Sequence, residues 1–306
     1  MPDIVALGVR FAQYADLTLL FGLALFCALA PNDPARFLPA RALLRGIAIL
    51  GLVLTGASTV VIAAGMAGVS PTSVDWETLS LVLFETPPGK AALWRGAVLL
   101  LVILVLRRGR SSGRARLGAV AIAGAVALAT LAWNGHGAAS EGNAGVLHLG
   151  SDIVHLLAAG AWIGALGGFI LLLAAPLEGF GADRIDTARR ALDSFSLAGS
   201  VIVALIVVTG LINAWLILGA DNLPALVTSL WGQLLMLKLL LFFAMLGLAA
   251  ANRFRLTPRL ECAILLNDSA QAVRLLRLSL ALETGAALVI LALIAWLGMI
   301  SPNMDM

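Results

Sequence analysis

The stretch GIAILGLVLTGASTVVIAAGMAGVSPTSV, residues 46–74, contains no charged residue. About 20 mostly apolar residues are enough for one helix to cross the roughly 30 Å hydrocarbon layer of a membrane. A charge-free segment of this length therefore predicts a membrane-spanning helix. The segment of residues 194–220 is also uncharged and predicts a second one.

The rest of the chain is similarly apolar. Of its 306 residues, 61% are hydrophobic and 12% are charged, whereas charged residues make up about 25% of an ordinary soluble domain. The mean hydropathy is +1.01, so the chain has more apolar surface than a water-exposed fold can bury. Two cysteines are too few for a disulfide framework, and a net charge of +3 does not indicate a nucleic-acid partner. The composition predicts a polytopic membrane protein.

Charge clusters and turn residues divide the chain into eight apolar segments. We therefore predict an all-α fold with eight transmembrane helices in one domain over residues 1–306. The first segment lacks a basic start and a small-residue cleavage site, so we expect it to be retained as a helix. The third is the least apolar, because Lys90 and Arg95 lie in its first turns. The predicted spans are residues 4–30, 43–69, 88–107, 117–137, 146–175, 191–219, 231–252 and 274–300.

Basic residues favour one orientation of these spans. Sixteen of the twenty Lys and Arg residues lie in or beside alternate connections, which the positive-inside rule assigns to the cytoplasm. The remaining connections, residues 70–87, 138–145 and 220–230, contain no Lys or Arg. Both termini are therefore expected in the periplasm. The sixteen are Arg36, Arg41, Arg45, Arg107, Arg108, Arg110, Arg114, Arg116, Arg184, Arg189, Arg190, Arg253, Arg255, Arg259, Arg274 and Arg277.

Ionisable residues inside spans mark functional sites, because they are costly to place in lipid. All three histidines, His136, His148 and His155, lie within twenty positions. His148, Asp152 and His155 are spaced by four and three residues, so they share one face of the fifth span. A lone histidine is more often an interfacial or packing residue. Three of them with a carboxylate in register predict a transition-metal site at the outer ends of spans four and five.

Two methionines extend this prediction. Met304 and Met306 lie in the C-terminal tail, which the topology places outside. Thioether sulfur selects Cu(I), whereas imidazole also accepts Cu(II) and other metals. Methionine is equally an ordinary apolar side chain, so the pair enters the prediction only as additional ligands.

Other polar residues in the spans are candidates for a transport path. Lys238 and Glu283 lie at different depths in the membrane, so no ion pair between them is predicted. Glu283 is expected to face the bundle interior, either as a hydrogen-bonded group or as a relay for a cation or proton. Hydrogen bonding between helices is the commoner role for an intramembrane Asn, as burial is for a lone Cys. The path candidates are Asp16, Asn213, Lys238 and Glu283, and the candidates for cytoplasmic exit are Cys27 and Cys262.

Gly160, Gly164 and Gly168 form a small-residue stripe on the fifth span. Such a stripe lets another helix backbone approach closely. We expect it to make the fifth span the central helix, polar on one side and tightly packed on the other.

Several motifs resemble the bacterial CopD/PcoD copper-resistance membrane proteins, most densely over residues 136–302. The most specific is Asp152-Ile-Val-His155-Leu-Leu-Ala-Ala-Gly-Ala-Trp162-Ile-Gly164. Position 231 is Trp where the family pattern has Tyr. Shorter matches are Thr86-Pro-Pro-Gly-Lys-Ala-Ala-Leu-Trp-Arg95, Gly135-His136, Thr209-Gly-Leu-Ile-Asn213-Ala, Trp231-Gly-Gln-Leu-Leu-Met-Leu-Lys238, Ala251-Asn252-Arg253, Glu283 and Pro302.

This resemblance implies an inner-membrane protein that moves copper from periplasm to cytoplasm, often alongside a periplasmic copper carrier of the CopC type. The residues alone indicate a metal site. They do not identify the metal as copper, its oxidation state as Cu(I) or Cu(II), or its direction of travel. The chain has no G-x-x-x-x-G-K-[ST] motif, so ATP-driven pumping is not expected, and we predict a permease rather than an enzyme.

Two alternatives remain open on the sequence. One is a membrane electron-transfer protein that binds haem b between His136 and His148. The other is a structural partner or sensor in a copper-handling complex, which would bind copper without transporting it.

Overall fold

The computed structural model describes residues 3–107, 113–135, 142–174, 182–219, 225–266 and 270–300. Across these ranges the chain is helical and contains no β-strand. Eight of the helical segments described are long and apolar enough to cross a membrane, which confirms the predicted fold class. The helices are α1 Ile4–Leu29, α2 Ala40–Ala67, α3 Trp76–Glu85, α4 Pro87–Arg107, α5 Arg114–Ala129, α6 Gly142–Leu173, α7 Ala182–Leu218, α8 Ala225–Thr228, α9 Leu230–Ala251, α10 Thr257–Leu265 and α11 Ala270–Leu297.

The helix ends follow local sequence signals. The Asp3 carboxylate accepts a hydrogen bond from the amide of Val5 and caps α1. Asp75 caps α3 in the same way by accepting from the amide of Thr78, and this bond lowers the pKa of the exposed Asp75 carboxyl. Gly68 ends α2 with a φ of 68°, a left-handed conformation that glycine adopts without a steric penalty.

Helix α7 is longer than the predicted span, because it begins at Ala182 rather than at residue 191. Its first turns are polar and carry salt bridges from Arg189 to Asp186 at 3.2 Å and to Asp193 at 2.9 Å. Pairs at this spacing stabilise a helix in water. Dividing the chain at charged residues therefore underestimates helices that continue beyond the membrane.

A π-helical turn, Asn252–Leu256, joins α9 to α10. Pro258 lies at the start of α10 and has no backbone N–H to donate. The loss of that donor accounts for the wider turn just before it.

Helices α1 and α6 lie at the centre of the bundle and cross at glycines. A side chain at Gly164 would overlap the backbone of Gly22, and one at Gly168 would overlap the ring of Phe26. The glycine stripe of α6 is thus the predicted packing face, and α1 is its partner. Helix α1 also packs against α2, α5 and α11, so the two helices share the central position that the sequence assigned to α6 alone.

The ends of five helices meet at one end of the bundle. Residues near the N-terminal ends of α1, α6 and α9 and near the C-terminal ends of α7 and α11 line one cavity. This end of the bundle is called the outer end below, because the predicted topology places it toward the periplasm.

Candidate metal site

The outer end contains a cavity of about 170 Å³, called the histidine cavity below. Apolar side chains such as Leu156, Leu235 and Ile294 form much of its wall. The cavity unites three predicted metal ligands with two predicted path residues. Its polar lining is Arg10, Tyr14, His148, Asp152, His155, Asn213, Trp231 and Lys238.

The orientation of His155 is set by Thr209 on α7. Its Nδ1 lies 2.9 Å from Thr209 Oγ1. The Thr209 hydroxyl donates its single proton to the carbonyl of Leu205 one turn earlier, so toward His155 it acts as an acceptor. This pattern assigns the proton to Nδ1 and leaves the lone pair on Nε2 free for a cation. Gly210 lies beside the imidazole, since a Cβ there would be in ordinary van der Waals contact with the His155 ring at 3.5 Å.

His148 and Asp152 lie on the turns of α6 closer to the outer end. His148 is buried, and Asp152 is half-buried beside Gly135, where a Cβ would lie 3.6 Å from the carboxylate. Between them, Ser151 donates to the carbonyl of Thr209 at 3.2 Å and ties α6 to α7. The rotation of α6 is therefore fixed with these side chains toward the cavity.

Two cationic side chains face Asp152. Lys238 of α9 and Arg10 of α1 both act on its carboxylate electrostatically. Neither forms an ion pair within 4.0 Å of it in the described part of the chain. Arg10 donates to the carbonyl of Asn134 at 3.3 Å and lies against Gly298 at the end of α11. Asp152 is therefore balanced by nearby positive charge without direct contact.

Asn213 adds an unpaired acceptor to the cavity wall. Its Oδ1 is buried and has no hydrogen-bond partner within the described residues. A carbonyl oxygen in this state costs free energy unless another group binds it. The expected role for an Asn here was a bond between helices, and this oxygen makes none.

Three of the predicted ligands, His136, Met304 and Met306, lie outside the described residues. Within those residues, no group of three or more His, Cys, Asp or Glu side chains is close enough to hold one metal ion. His148, Asp152 and His155 therefore share a cavity without forming a compact cluster. The haem alternative also depends on His136.

Glu283 occupies a second polar site nearer the inner end. It accepts hydrogen bonds of 2.9 Å from Trp162 Nε1 of α6 and from Asn252 Nδ2 at the end of α9. The site adjoins a cavity of about 320 Å³ between α6, α7, α9 and α11. Glu283 thus faces the interior and is hydrogen-bonded, and Lys238 lines the histidine cavity instead, as the separation in depth predicts.

The remaining candidates lie apart from both cavities. Asp16 is buried where α1 meets α2, against Gly51. Cys27 is completely buried in the apolar core, whereas Cys262 is exposed on α10. The structure does not bring the two cysteines together.

Arg10 and Arg95 are charged residues in spans that were not among the predicted site residues. Arg95 is only 1% exposed and donates to Thr130 Oγ1 at 2.8 Å and to the Thr130 carbonyl at 3.2 Å. The position of Arg95 could have identified it as a candidate, because an arginine two turns into a span is too deep in the membrane to be an ordinary helix-end residue. Its partner is a hydroxyl and a backbone carbonyl, which no charge pattern reveals.

Most of the chain matches models of known protein families. The model of the copper resistance protein D-like N-terminal domain matches residues 1–146, and that of copper resistance protein D matches residues 189–297. The chain is 41% identical over 309 residues to copper resistance protein D of Pseudomonas syringae pv. tomato, covering 100% of this chain and 99% of that protein. It is 31% identical over 257 residues to inner membrane protein YebZ of Escherichia coli (strain K12), covering 83% and 85%. No solved structure matches the chain.

Proposed function

Because the chain belongs to the copper resistance protein D family, we propose that it is a copper permease that carries copper ions from the periplasm to the cytoplasm. Family membership and eight apolar helices establish a copper-related, multi-pass inner-membrane protein. The oxidation state of the ion, the direction and the route belong to the proposal.

The observation that carries the proposal is the histidine cavity. It contains His148, Asp152 and His155 on one helix face, and the hydrogen bond with Thr209 leaves Nε2 of His155 free to bind. Neutral imidazole is the commonest protein ligand for transition metals. We assign the first binding step to these residues, with His136, Met304 and Met306 as additional ligands at the outer surface.

The spread of the ligands suits transport better than storage. A site for a passing ion must bind well enough to admit it and weakly enough to release it to the next position. His148, Asp152 and His155 lie on successive turns, and their separation allows copper to move from one to the next. A permanent prosthetic metal would instead favour a closed ligand set.

The inward route follows α6. Trp162 lies seven residues beyond His155, or about 10 Å along the helix. The proposed route leads from Asn213 and Lys238 to Glu283. The amide oxygen of Asn252, which donates to Glu283 through its nitrogen, is buried and has no hydrogen-bond partner among the described residues. The membrane potential would supply about 2.3 kcal/mol per charge per 100 mV. At the cytoplasmic side, Cys262 is exposed and accessible to a departing soft metal, whereas burial makes Cys27 a poorer acceptor.

A periplasmic copper carrier of the CopC type is the proposed donor. Its copper would reach the outer end, where the histidine cavity lies. Transfer between exposed ligands needs contact between the two proteins, so the outer loops are the proposed contact surface.

Copper accumulation in cells tests the proposal. We expect His148→Ala and His155→Ala each to lower accumulation at equal protein levels, whereas Ser80→Ala, a half-buried change on α3 that does not line the cavity, should not. Unchanged accumulation in both histidine variants would rule out this route. The visible spectrum of the purified protein separates the haem alternative, since a strong Soret band would contradict the permease.

A further inference from the structure

Asp16 lines neither the histidine cavity nor the cavity beside Glu283. Its side chain is 5% exposed, and neither carboxylate oxygen has a hydrogen-bond partner within the described residues. One oxygen packs against Gly51 of α2, at a position that a larger residue would fill. An isolated carboxylate in such surroundings is strongly unfavourable unless a proton or a cation neutralises it.

Among the residues that the structure describes, no Lys or Arg forms an ion pair with Asp16. Residues 46–67 of α2 include no titratable side chain. On α4, Arg95 donates to the hydroxyl and the carbonyl of Thr130, just beyond the end of α5. On α1 itself, Arg10 lies six residues before Asp16, lines both outer cavities and donates to the carbonyl of Asn134. The neutral, protonated acid is the form that this site accommodates.

Access to Asp16 is from the outer end. A separate cavity of about 410 Å³ there is lined by Arg10, Gln13, Tyr14 and Ser58 among others. Gln13 lies one turn before Asp16, and its Nε2 is 3.5 Å from Thr55 Oγ1. Thr55 in turn donates to the carbonyl of Gly51, the residue that Asp16 contacts. A short polar path thus joins the cavity to the carboxyl group.

Apolar packing closes the route from Asp16 to the inner end of the bundle. Leu17, Leu20, Leu44 and Leu99 are completely buried at or below the level of Asp16, toward the inner end. Closely packed apolar side chains leave no room for water and offer no hydrogen bonds to a proton.

We propose that Asp16 is a proton-binding site that exchanges with the outer face alone and controls the packing of α1 against α2. Water enters from the outer cavity past Gln13 and Thr55, and a hydronium ion that reaches Asp16 transfers its proton to a carboxylate oxygen and leaves as water. In acid the neutral group fits against Gly51. In alkali the proton returns to water, and the resulting charge must draw water into the α1–α2 contact, which loosens it. The site goes beyond copper transport and does not require copper.

Infrared spectroscopy of the copper-free protein in liposomes tests this proposal. We expect a carbonyl-stretch band of a protonated carboxylic acid that diminishes as the pH rises and that is absent in Asp16→Asn. Glu283→Gln is the matched control, because it removes another buried carboxyl and should leave the Asp16 band in place. The band should respond to pH on the face that carries the histidine cavity.

Thermal unfolding in detergent provides a second readout. The Tm of the wild type should fall as the pH rises, because ionisation of Asp16 is opposed by the fold, and that part of the fall should be absent in Asp16→Asn. A band unchanged in Asp16→Asn, the absence of such a band at every pH, or equal Tm profiles would overturn the proposal. Loss of copper uptake in the histidine variants alone would leave it unaffected.

Discussion

Thr209 and His155 show how one hydrogen bond sets the chemistry of a ligand. The threonine hydroxyl is committed as a donor to Leu205 and can only accept from the imidazole. His155 therefore presents Nε2 to the cavity without first losing a proton from that nitrogen. The sequence placed Thr209 on the same face as Asn213, but it could not show which helix that face meets.

Replacing Thr209 tests this role. In Thr209→Val the imidazole loses its acceptor and its fixed orientation, so copper affinity should fall by about 10–100-fold, the usual cost of losing such a partner. Thr209→Ser keeps the hydroxyl and should retain most of the affinity. Copper titration of the purified variants measures both. Equal affinity in Thr209→Val and the wild type would show that Thr209 does not orient the ligand.

Lys238 acts on the same cavity through charge. Its ammonium group offsets the charge of Asp152 electrostatically and opposes the approach of a copper ion. Lys238→Met preserves much of the side-chain length without the charge, so we expect copper to bind about tenfold more tightly, which corresponds to roughly 1.4 kcal/mol. Release should slow in the same variant, as flux measurements would detect. Weaker binding in Lys238→Met would instead identify the lysine as a supporting residue of the site.

At the scale of helices, the contact between α1 and α6 depends on the absence of side chains. Gly164 and Gly22 bring the two backbones together, and α6 also carries the histidines and Trp162. The glycine stripe could be predicted from the sequence, because small residues at a spacing of four mark a packing face. The helix that packs against it could not be predicted, because α1 lacks a matching stripe of small residues.

Gly164→Ala should separate these helices. The added methyl group would overlap the Gly22 backbone, and overpacking of this kind typically costs about 1–3 kcal/mol. Gly150→Ala is the matched control on the same helix, since a Cβ there meets nothing within 4 Å. Thermal unfolding in detergent should give a lower Tm for Gly164→Ala than for Gly150→Ala. Similar Tm values would contradict the close crossing.

For the molecule as a whole, apolar length was enough to predict eight spans and an all-α fold. The site was predictable only in part. The spacing of His148, Asp152 and His155 shows that they share a face, but the partners of that face depend on the rotation of other helices. Trp162 and Glu283 are 121 residues apart, and their hydrogen bond has no sequence signature. The sequence likewise could not show that the Asp16 carboxylate lies against Gly51 of α2.

The orientation in the membrane is tested by the two free cysteines. Cys262 is exposed on α10, which the positive-inside rule assigns to the cytoplasm, and Cys27 is buried. An impermeant maleimide should label Cys262 in inverted membrane vesicles and leave it unlabelled in intact spheroplasts. Cys262→Ser should abolish labelling, because Cys27 is inaccessible. Labelling from the outside of intact spheroplasts would reverse the topology.

X-ray absorption at the copper edge of the purified, copper-loaded protein tests the histidine cavity most directly. We expect the wild type to show scattering from imidazole ligands, and the double variant His148→Ala/His155→Ala to lose most of that scattering and of the bound copper while keeping its helical content. Identical spectra and copper content in the two proteins would show that copper binds elsewhere.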